Sequence, residues 1–211
     1  MNALTPIQID AKADPFCATV AALYVAPNGT YFGLPDVDAW DEARDARAYD
    51  GPHPVVAHPP CQAWCQLSAV NSKRWGSPYN EDGGCFAAAL QAVRLWGGVL
   101  EHPAESRAFA FHRIPEPAFG AWQRTIDGDW VTEVWQSAYG HLAKKRTWLL
   151  YSGDLVPHPL AWNRTDGTHQ IGFFDRKLPQ LPIKMRSATP PAFRDLLLLL
   201  ARTARHRKEM S

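Results

Sequence analysis

Residues 54–62 read PVVAHPPCQ, and residues 84–103 read GCFAAALQAVRLWGGVLEHP. The first is a short apolar run, typical of a buried strand, that ends at two adjacent prolines. The second repeats its apolar residues near a 3.6-residue period over 84–96, which predicts a helix. A glycine pair ends that helix, and an apolar strand follows at 99–101. Together the two stretches predict a strand, helix, strand unit with parallel strands.

The rest of the chain extends this unit into an α/β fold. Further strands are predicted at 19–25, 130–136 and 147–151, and further helices at 41–49 and 191–205. We therefore expect one domain over 1–211, with a Rossmann-like, mainly parallel sheet flanked by helices. Residues 1–16 are predicted to be a lead-in, and residues 152–187 a short irregular insert.

Composition excludes several classes of protein. The 211 residues are 46% hydrophobic, enough for one buried core, and the net charge is only +1. Four irregularly spaced cysteines, without a signal-like N-terminus, predict a reduced cytoplasmic protein. The longest apolar run, 196–201, is far shorter than the roughly 20 residues that cross a bilayer. Nucleic-acid contact would have to come from local basic clusters, at 144–146 and 202–208.

Cys61 and Glu101 are the candidate catalytic pair. Each lies at the predicted carboxyl end of a strand, where α/β proteins form their sites. Because Pro59 and Pro60 restrict the backbone before Cys61, they fix the direction of the cysteine side chain. A thiolate beside a carboxylic acid suits addition to an electron-poor ring, because one group attacks carbon and the other protonates a ring nitrogen.

The chain resembles the cytosine-C5 DNA methyltransferases in four motifs, which stand in the family's order. The segment 58–62 (HPPCQ) resembles the family's Pro-Cys-Gln nucleophile loop, and 99–103 (VLEHP) its Glu-Asn-Val segment. The stretch 139–153 resembles the Tyr-Gly and arginine-bearing segment, and 189–193 (TPPAF) the last motif. More closely, the whole resembles short methyltransferase-like proteins of phages and prophages, which implies a bacterial host cytoplasm.

The resemblance implies a mechanism. Cys61 would add to C6 of cytosine, Glu101 would hold and protonate N3, and C5 would take a methyl group from S-adenosyl-L-methionine. Arg146 would support the nucleophile loop or contact the ring or a phosphate. A target base in duplex DNA would have to be flipped out.

Further site residues follow from the same motifs. Substrate contacts are expected from Pro60, Gln62, Trp64 and His102. His102 stands where the family has asparagine, and it is expected, like His58, to support the site rather than to catalyse. No metal is expected, because the spacing of His58, Cys61, Cys65 and Cys85 matches no paired-ligand pattern.

Two family features have no counterpart in the sequence. The glycine loop that approaches the methyl donor is missing after the first strand, which leaves only Asp38 and Pro190 as cofactor candidates. The insert at 152–187 is too short for a target-recognition domain. A nucleotide, single-stranded DNA or a separate recognition partner would account for its absence.

Two alternatives therefore stay open beside a methyltransferase. One is a degenerate, non-catalytic protein that binds DNA or cytosine. The other is an enzyme that uses the same C6 addition for a different C5 modification, without S-adenosyl-L-methionine.

Overall fold

The computed structural model describes residues 18–66, 68–76, 79–171 and 178–204. The strands in this part of the chain are β1 (Val20–Leu23), β2 (Val37–Trp40), β3 (Val55–Ala57), β4 (Gly98–Pro103), β5 (Gln123–Arg124), β6 (Trp130–Trp135) and β7 (Arg146–Ser152). The α-helices are α1 (Ser68–Trp75), α2 (Cys85–Trp96), α3 (Arg107–Phe111), α4 (Ile183–Arg186) and α5 (Pro191–Thr203). The predicted lead-in 1–16, part of the insert and most of the basic tail lie outside the described residues.

The seven strands form one mixed sheet in the order β2-β1-β3-β4-β7-β6-β5. The predicted β3, α2, β4 unit is confirmed, and β3 and β4 are parallel. The expectation of a mainly parallel sheet is wrong, because β7, β6 and β5 continue from β4 by antiparallel pairing. The segment 136–145 between β6 and β7 is shorter than the roughly dozen residues of a parallel crossover, so these strands pair as a hairpin.

Helices cover both faces of the sheet. Ala57 and Leu100 face α2, in a core that includes Phe86, whereas Val56 and Val99 face α5 on the opposite side. Because β3 is buried on both faces, all three of its residues are apolar and none is exposed. The strand ends therefore emerge from a core that fixes their positions.

The region between β1 and β3 differs from its prediction. The helix expected at 41–49 is replaced by two short 3-10 turns, at Glu42–Arg44 and Ala46–Ala48. Asp45 separates them, because it adopts a left-handed conformation with φ of 46° and its carboxylate caps the second turn. The preceding strand β2 was not predicted.

None of the helices in the described part of the chain has the length and apolar character of a membrane span.

Gly98 provides a test of the β3 and β4 pairing. Its φ is +130°, and a Cβ at this position would lie 2.0 Å from the carbonyl oxygen of Val55. We expect Gly98→Ala to lower the free energy of unfolding by roughly 4 kcal/mol or more, as measured by urea denaturation. The matched control is Gly120→Ala, where φ is +102° but a Cβ would meet nothing within 4 Å. It should lose only about 1–2 kcal/mol from backbone strain. Equal losses in the two variants would contradict a steric role for Gly98.

Candidate active site

Cys61 lies in a tight turn directly after β3. The amide of His58 donates to the carbonyl of Leu23 in β1 at 3.0 Å, which ties the start of the turn to the sheet. The carbonyl of Cys61 accepts hydrogen bonds from the amides of Trp64 and Cys65, at 3.0 and 3.1 Å. The thiol itself is partly exposed. The backbone at the nucleophile position is therefore held on both sides while the side chain stays accessible.

Glu101 is buried within β4, with only 7% of its surface exposed. His58 donates from Nδ1 to one carboxylate oxygen at 2.9 Å, and Gln136 donates from Nε2 to the other at 2.9 Å. Gln136 also donates to the hydroxyl of Thr147 in β7, at 3.0 Å. Both carboxylate oxygens are thus held by side chains from other strands or strand ends.

The predicted pair belongs to neighbouring parallel strands in the structure. Beyond the effect of burial, the negative charge of Glu101 raises the pKa of the Cys61 thiol, and the positive charge of Lys145 lowers the pKa of both groups. The amine of Lys145 is 3.4 Å from the backbone carbonyls of Ser187 and Ala188, at the segment before α5. Sequence reasoning placed Lys145 in a basic cluster without giving it a place in the site.

Charges in the site set the ionisation of the pair. Burial alone would raise the pKa of Glu101, but the hydrogen bond from His58 and the charge of Lys145 outweigh it and bring the pKa to about 2. Burial raises the pKa of Cys61, the negative charge of Glu101 raises it further, and Lys145 opposes both effects. At neutral pH the free protein therefore holds a thiol beside a carboxylate.

Arg146 lies at the start of β7, and each nitrogen of its guanidinium bonds to a carboxylate. It makes a two-point contact with Glu133, at 2.8 Å for each hydrogen bond, and a further ion pair with Glu105. Glu133 also accepts from the indoles of Trp135 and Trp148. Glu105 accepts from Gln66, just beyond the nucleophile turn. Arg146 thus links β7 and β6 to the segment that follows Cys61.

Trp64 and His102 lie away from Glu101. Successive residues of a strand point to opposite faces, so His102 faces α2, where its ring packs edge-on against Phe86 at 5.2 Å. The indole of Trp64 also packs against Phe86 and donates to Asp82 at 2.8 Å. Both side chains belong to the core under the nucleophile turn.

Pro60 and Gln62 are exposed. They line a cleft of about 440 Å³ together with Glu81 and Gly83. They are the two predicted substrate contacts that solvent reaches directly. This cleft lies beside the turn that contains Cys61.

The two cofactor candidates have structural roles. The carboxylate of Asp38 in β2 accepts from the indole of Trp40 at 2.7 Å and pairs with Arg44. Pro190 directly precedes α5, and its carbonyl accepts a hydrogen bond from the amide of Arg194 in that helix at 2.9 Å. Among the residues that the structure describes, no group of three or more His, Cys, Asp or Glu side chains is placed to hold a metal ion.

Tyr31, Gln136 and Thr147 were missed by sequence reasoning. Tyr31 bonds to the ring of His58 at 2.8 Å, and it is only 2% exposed. Thr147 lies within the stretch 139–153 and begins a predicted strand, and Gln136 ends a predicted strand. Nothing in these patterns indicated that any of the three belongs to the site.

Comparisons of the chain with protein-family models, with curated proteins and with solved structures found no match.

The opposing effects of Glu101 and Lys145 on Cys61 are directly measurable. In a background with serine at Cys17, Cys65 and Cys85, the pH dependence of iodoacetamide alkylation reports the pKa of Cys61 alone. We expect Glu101→Gln to lower this pKa, because a negative charge is removed, and Lys145→Met to raise it, because a positive charge is removed.

Lys144→Met is the matched control for this experiment. The amine of Lys144 lies over the ring of Trp135, 3.9 Å from its centroid. Its removal should leave the alkylation profile unchanged. If both lysine variants gave the same pKa, Lys145 would not be part of the site.

The burial of His102 predicts that the protein loses stability at acid pH. Burial lowers the pKa of His102 from its usual 6.5 to about 4, although the carbonyls of Pro59 and Pro60 and the charge of Glu101 oppose this. The unfolded chain therefore binds more protons, so the stabilisation is complete above pH 6.5 and is lost as the pH falls towards 4. The free energy of unfolding is expected to fall by roughly 3 kcal/mol over this pH range.

We expect His102→Leu to remove most of this loss in urea denaturation between pH 7 and pH 4.5. The exposed His158 is the matched control, and His158→Gln should retain the wild-type pH dependence. The same slope in His102→Leu and wild type would show that His102 titrates normally in the folded protein.

Proposed function

We propose that this protein is a cytosine-C5-modifying enzyme of the methyltransferase type, with Cys61 as nucleophile. The observation that carries the proposal is that Cys61 and Glu101 belong to neighbouring parallel strands: Cys61 lies in the turn that follows β3, and Glu101 lies in β4 one residue beyond the last paired position of the two strands. The four motifs that resemble the cytosine-C5 DNA methyltransferases support it independently. The reduced Rossmann-like methyltransferase fold is part of the same proposal, supported by the parallel half of the sheet.

The proposed reaction needs Cys61 as a thiolate and Glu101 as a proton donor. Sγ of Cys61 bonds to C6 of cytosine, electron density moves to C5, and Glu101 donates a proton to N3. At rest the proton is on Cys61 and Glu101 is ionised, so Cys61 has to lose a proton and Glu101 has to gain one. After substitution at C5, loss of the C5 proton to solvent re-forms the C5–C6 double bond and expels the thiolate, and N3 returns its proton to Glu101.

Arg146 acts in this proposal as a support for the nucleophile turn. Three of its N–H groups bond to Glu133 and Glu105, and Glu105 continues the link to Gln66. All three nitrogens of the guanidinium take part in these bonds. Of the roles that the resemblance implies, loop support therefore fits the geometry best.

The positions expected to bind S-adenosyl-L-methionine make other contacts here. Asp38 is already paired, and the turn after β1 closes on itself through a 2.9 Å bond from Gly29 to Ala26. The proposed chemistry is therefore limited to addition at C6 and protonation at N3. A C5 modification that uses another donor is the second candidate, which these occupied positions favour.

The proposed acceptor carries phosphate, as DNA or as a cytosine nucleotide. Lys144 and Lys145 precede β7 beside the site, and Lys184 and Arg186 lie on α4, whose following residues contact Lys145. Arg164 lies over the ring of Phe119, 4.7 Å from its centroid. This concentration of positive charge favours a polyanion over a neutral base.

An intact-mass trap tests the proposed function. The protein is incubated with a 5-fluorocytosine oligonucleotide or 5-fluoro-dCMP, each with and without S-adenosyl-L-methionine. Fluorine at C5 cannot leave as a proton does, so a modified intermediate stays bound to Cys61. We expect a covalent adduct in wild type that is absent in Cys61→Ala.

Cys65→Ala is the matched control, because Cys65 lies one turn from Cys61 and is also partly exposed. It should form the adduct. An adduct that requires the donor supports a methyltransferase, whereas one that forms without it supports the second candidate. If the folded protein formed no adduct under any condition, the result would reject the proposed enzyme in favour of a non-catalytic cytosine-binding protein.

A further inference from the structure

A buried series of hydrogen bonds leads from the segment between β1 and β2 to the proposed acid. The hydroxyl of Tyr31 bonds to Nε2 of His58 at 2.8 Å, and Nδ1 of His58 bonds to Glu101 at 2.9 Å. The side chains of His58 and Glu101 are only 13% and 9% exposed. His58 thus joins a shielded hydroxyl to the carboxylate.

These partners determine how His58 is protonated. The carboxylate of Glu101 is an acceptor, so Nδ1 must carry the hydrogen. In the neutral ring Nε2 then accepts from Tyr31, and in the charged ring Nε2 donates to the oxygen of Tyr31. His58 therefore accommodates either charge state without moving.

We infer that His58 supplies the proton that Glu101 passes to N3 of the cytosine base. This inference rests on the proposed function. The Nδ1–H bond of the imidazolium breaks, an O–H bond forms on Glu101, and the electron pair stays on Nδ1. The ring becomes neutral and keeps its Nε2 hydrogen directed at Tyr31. The proton released from Cys61 leaves to solvent. When the ring is restored, N3 returns its proton through Glu101 to Nδ1 of His58, and the expelled thiolate is reprotonated from solvent.

The other neighbours of Glu101 are less suited to this role. Gln136 bonds to the second carboxylate oxygen, but an amide does not titrate. Lys145 acts on Glu101 through its charge, while its amine lies near the carbonyls of Ser187 and Ala188. Among the described residues, His58 is the titratable group that hydrogen-bonds to Glu101, and imidazole exchanges protons near neutral pH.

Charged and titratable groups from several elements surround this chain of bonds. They are Tyr31, Cys61, Glu101, His102, Lys145, Arg194 and Asp195. Burial and the charge of Glu101 raise the pKa of Tyr31 well above its usual value, so Tyr31 remains a hydroxyl. Arg194 of α5 holds the adjacent Thr30 through bonds of 3.1 and 3.0 Å to its carbonyl and hydroxyl. The Tyr31 end of this series of hydrogen bonds is therefore neutral and held in place.

The first test does not depend on activity. Nitrogen-15 NMR of the imidazole rings, assigned by comparison with His58→Gln, reports which nitrogen of neutral His58 carries the hydrogen. We expect the Nδ1–H form, whereas an unconstrained imidazole favours Nε2–H. Finding Nε2–H at His58 would overturn the inference, because no hydrogen would then lie between His58 and Glu101.

The second test follows the addition step without a methyl donor. Addition at C6 makes C5 nucleophilic, so in D₂O the C5 hydrogen of a cytosine oligonucleotide exchanges for deuterium, which mass spectrometry measures. We expect wild type to exceed His58→Gln by roughly 100-fold at pH 6. This excess should be smaller at higher pH, because a proton supplied by an imidazolium becomes scarcer as the pH rises. The glutamine still donates a hydrogen bond to Glu101, and oligonucleotide affinity should not change.

His53→Gln is the matched control, because His53 precedes β3 outside the site, and it should keep the wild-type rate. A wild-type excess over His58→Gln that is the same at every pH would show a structural role only, and would overturn the inference while leaving the proposed function intact. No exchange by folded wild-type protein at any pH would overturn the proposed function, and the role of His58 with it.

Discussion

The carboxylate of Glu101 has to remain charged inside a protein core, and this requirement organises its surroundings. A buried carboxylate without partners would be strongly destabilising, so each oxygen needs a donor. His58 and Gln136 provide these donors, and Lys145 provides a compensating charge. The same partners leave Glu101 ionised and Cys61 protonated. The proposed reaction therefore requires that Cys61 lose a proton and that Glu101 gain one.

The mixed sheet makes this arrangement possible. Parallel β3 and antiparallel β7 flank β4, so the end of β3 and the start of β7 lie at the same edge. β6 is antiparallel to β7, so its end reaches this edge too and delivers Gln136. A wholly parallel sheet would place the starts of its strands at the opposite edge. The antiparallel half therefore contributes a wall to the site that the parallel half alone would lack.

Much of the central unit followed from local sequence. The apolar run before two prolines, the helix of period 3.6 and the glycine pair identify β3, α2 and β4, and they place Cys61 and Glu101 at one edge. Local patterns were less informative where short-range capping competes with helix formation, as at Asp45. They also did not show that Trp64 and His102 are buried, because that depends on packing against Phe86 of α2.

The sequence by itself determined the strand, helix, strand unit, because that unit follows from patterns within a few residues, and it predicted that Cys61 and Glu101 lie at one edge of the sheet. Only the tertiary structure decided how Glu101 is held. Tyr31 is 27 residues from His58, His58 is 43 from Glu101, and Gln136 is 35 beyond Glu101. Such contacts depend on the order and direction of the strands and on the need to satisfy a buried charge, and neither is written in a local pattern.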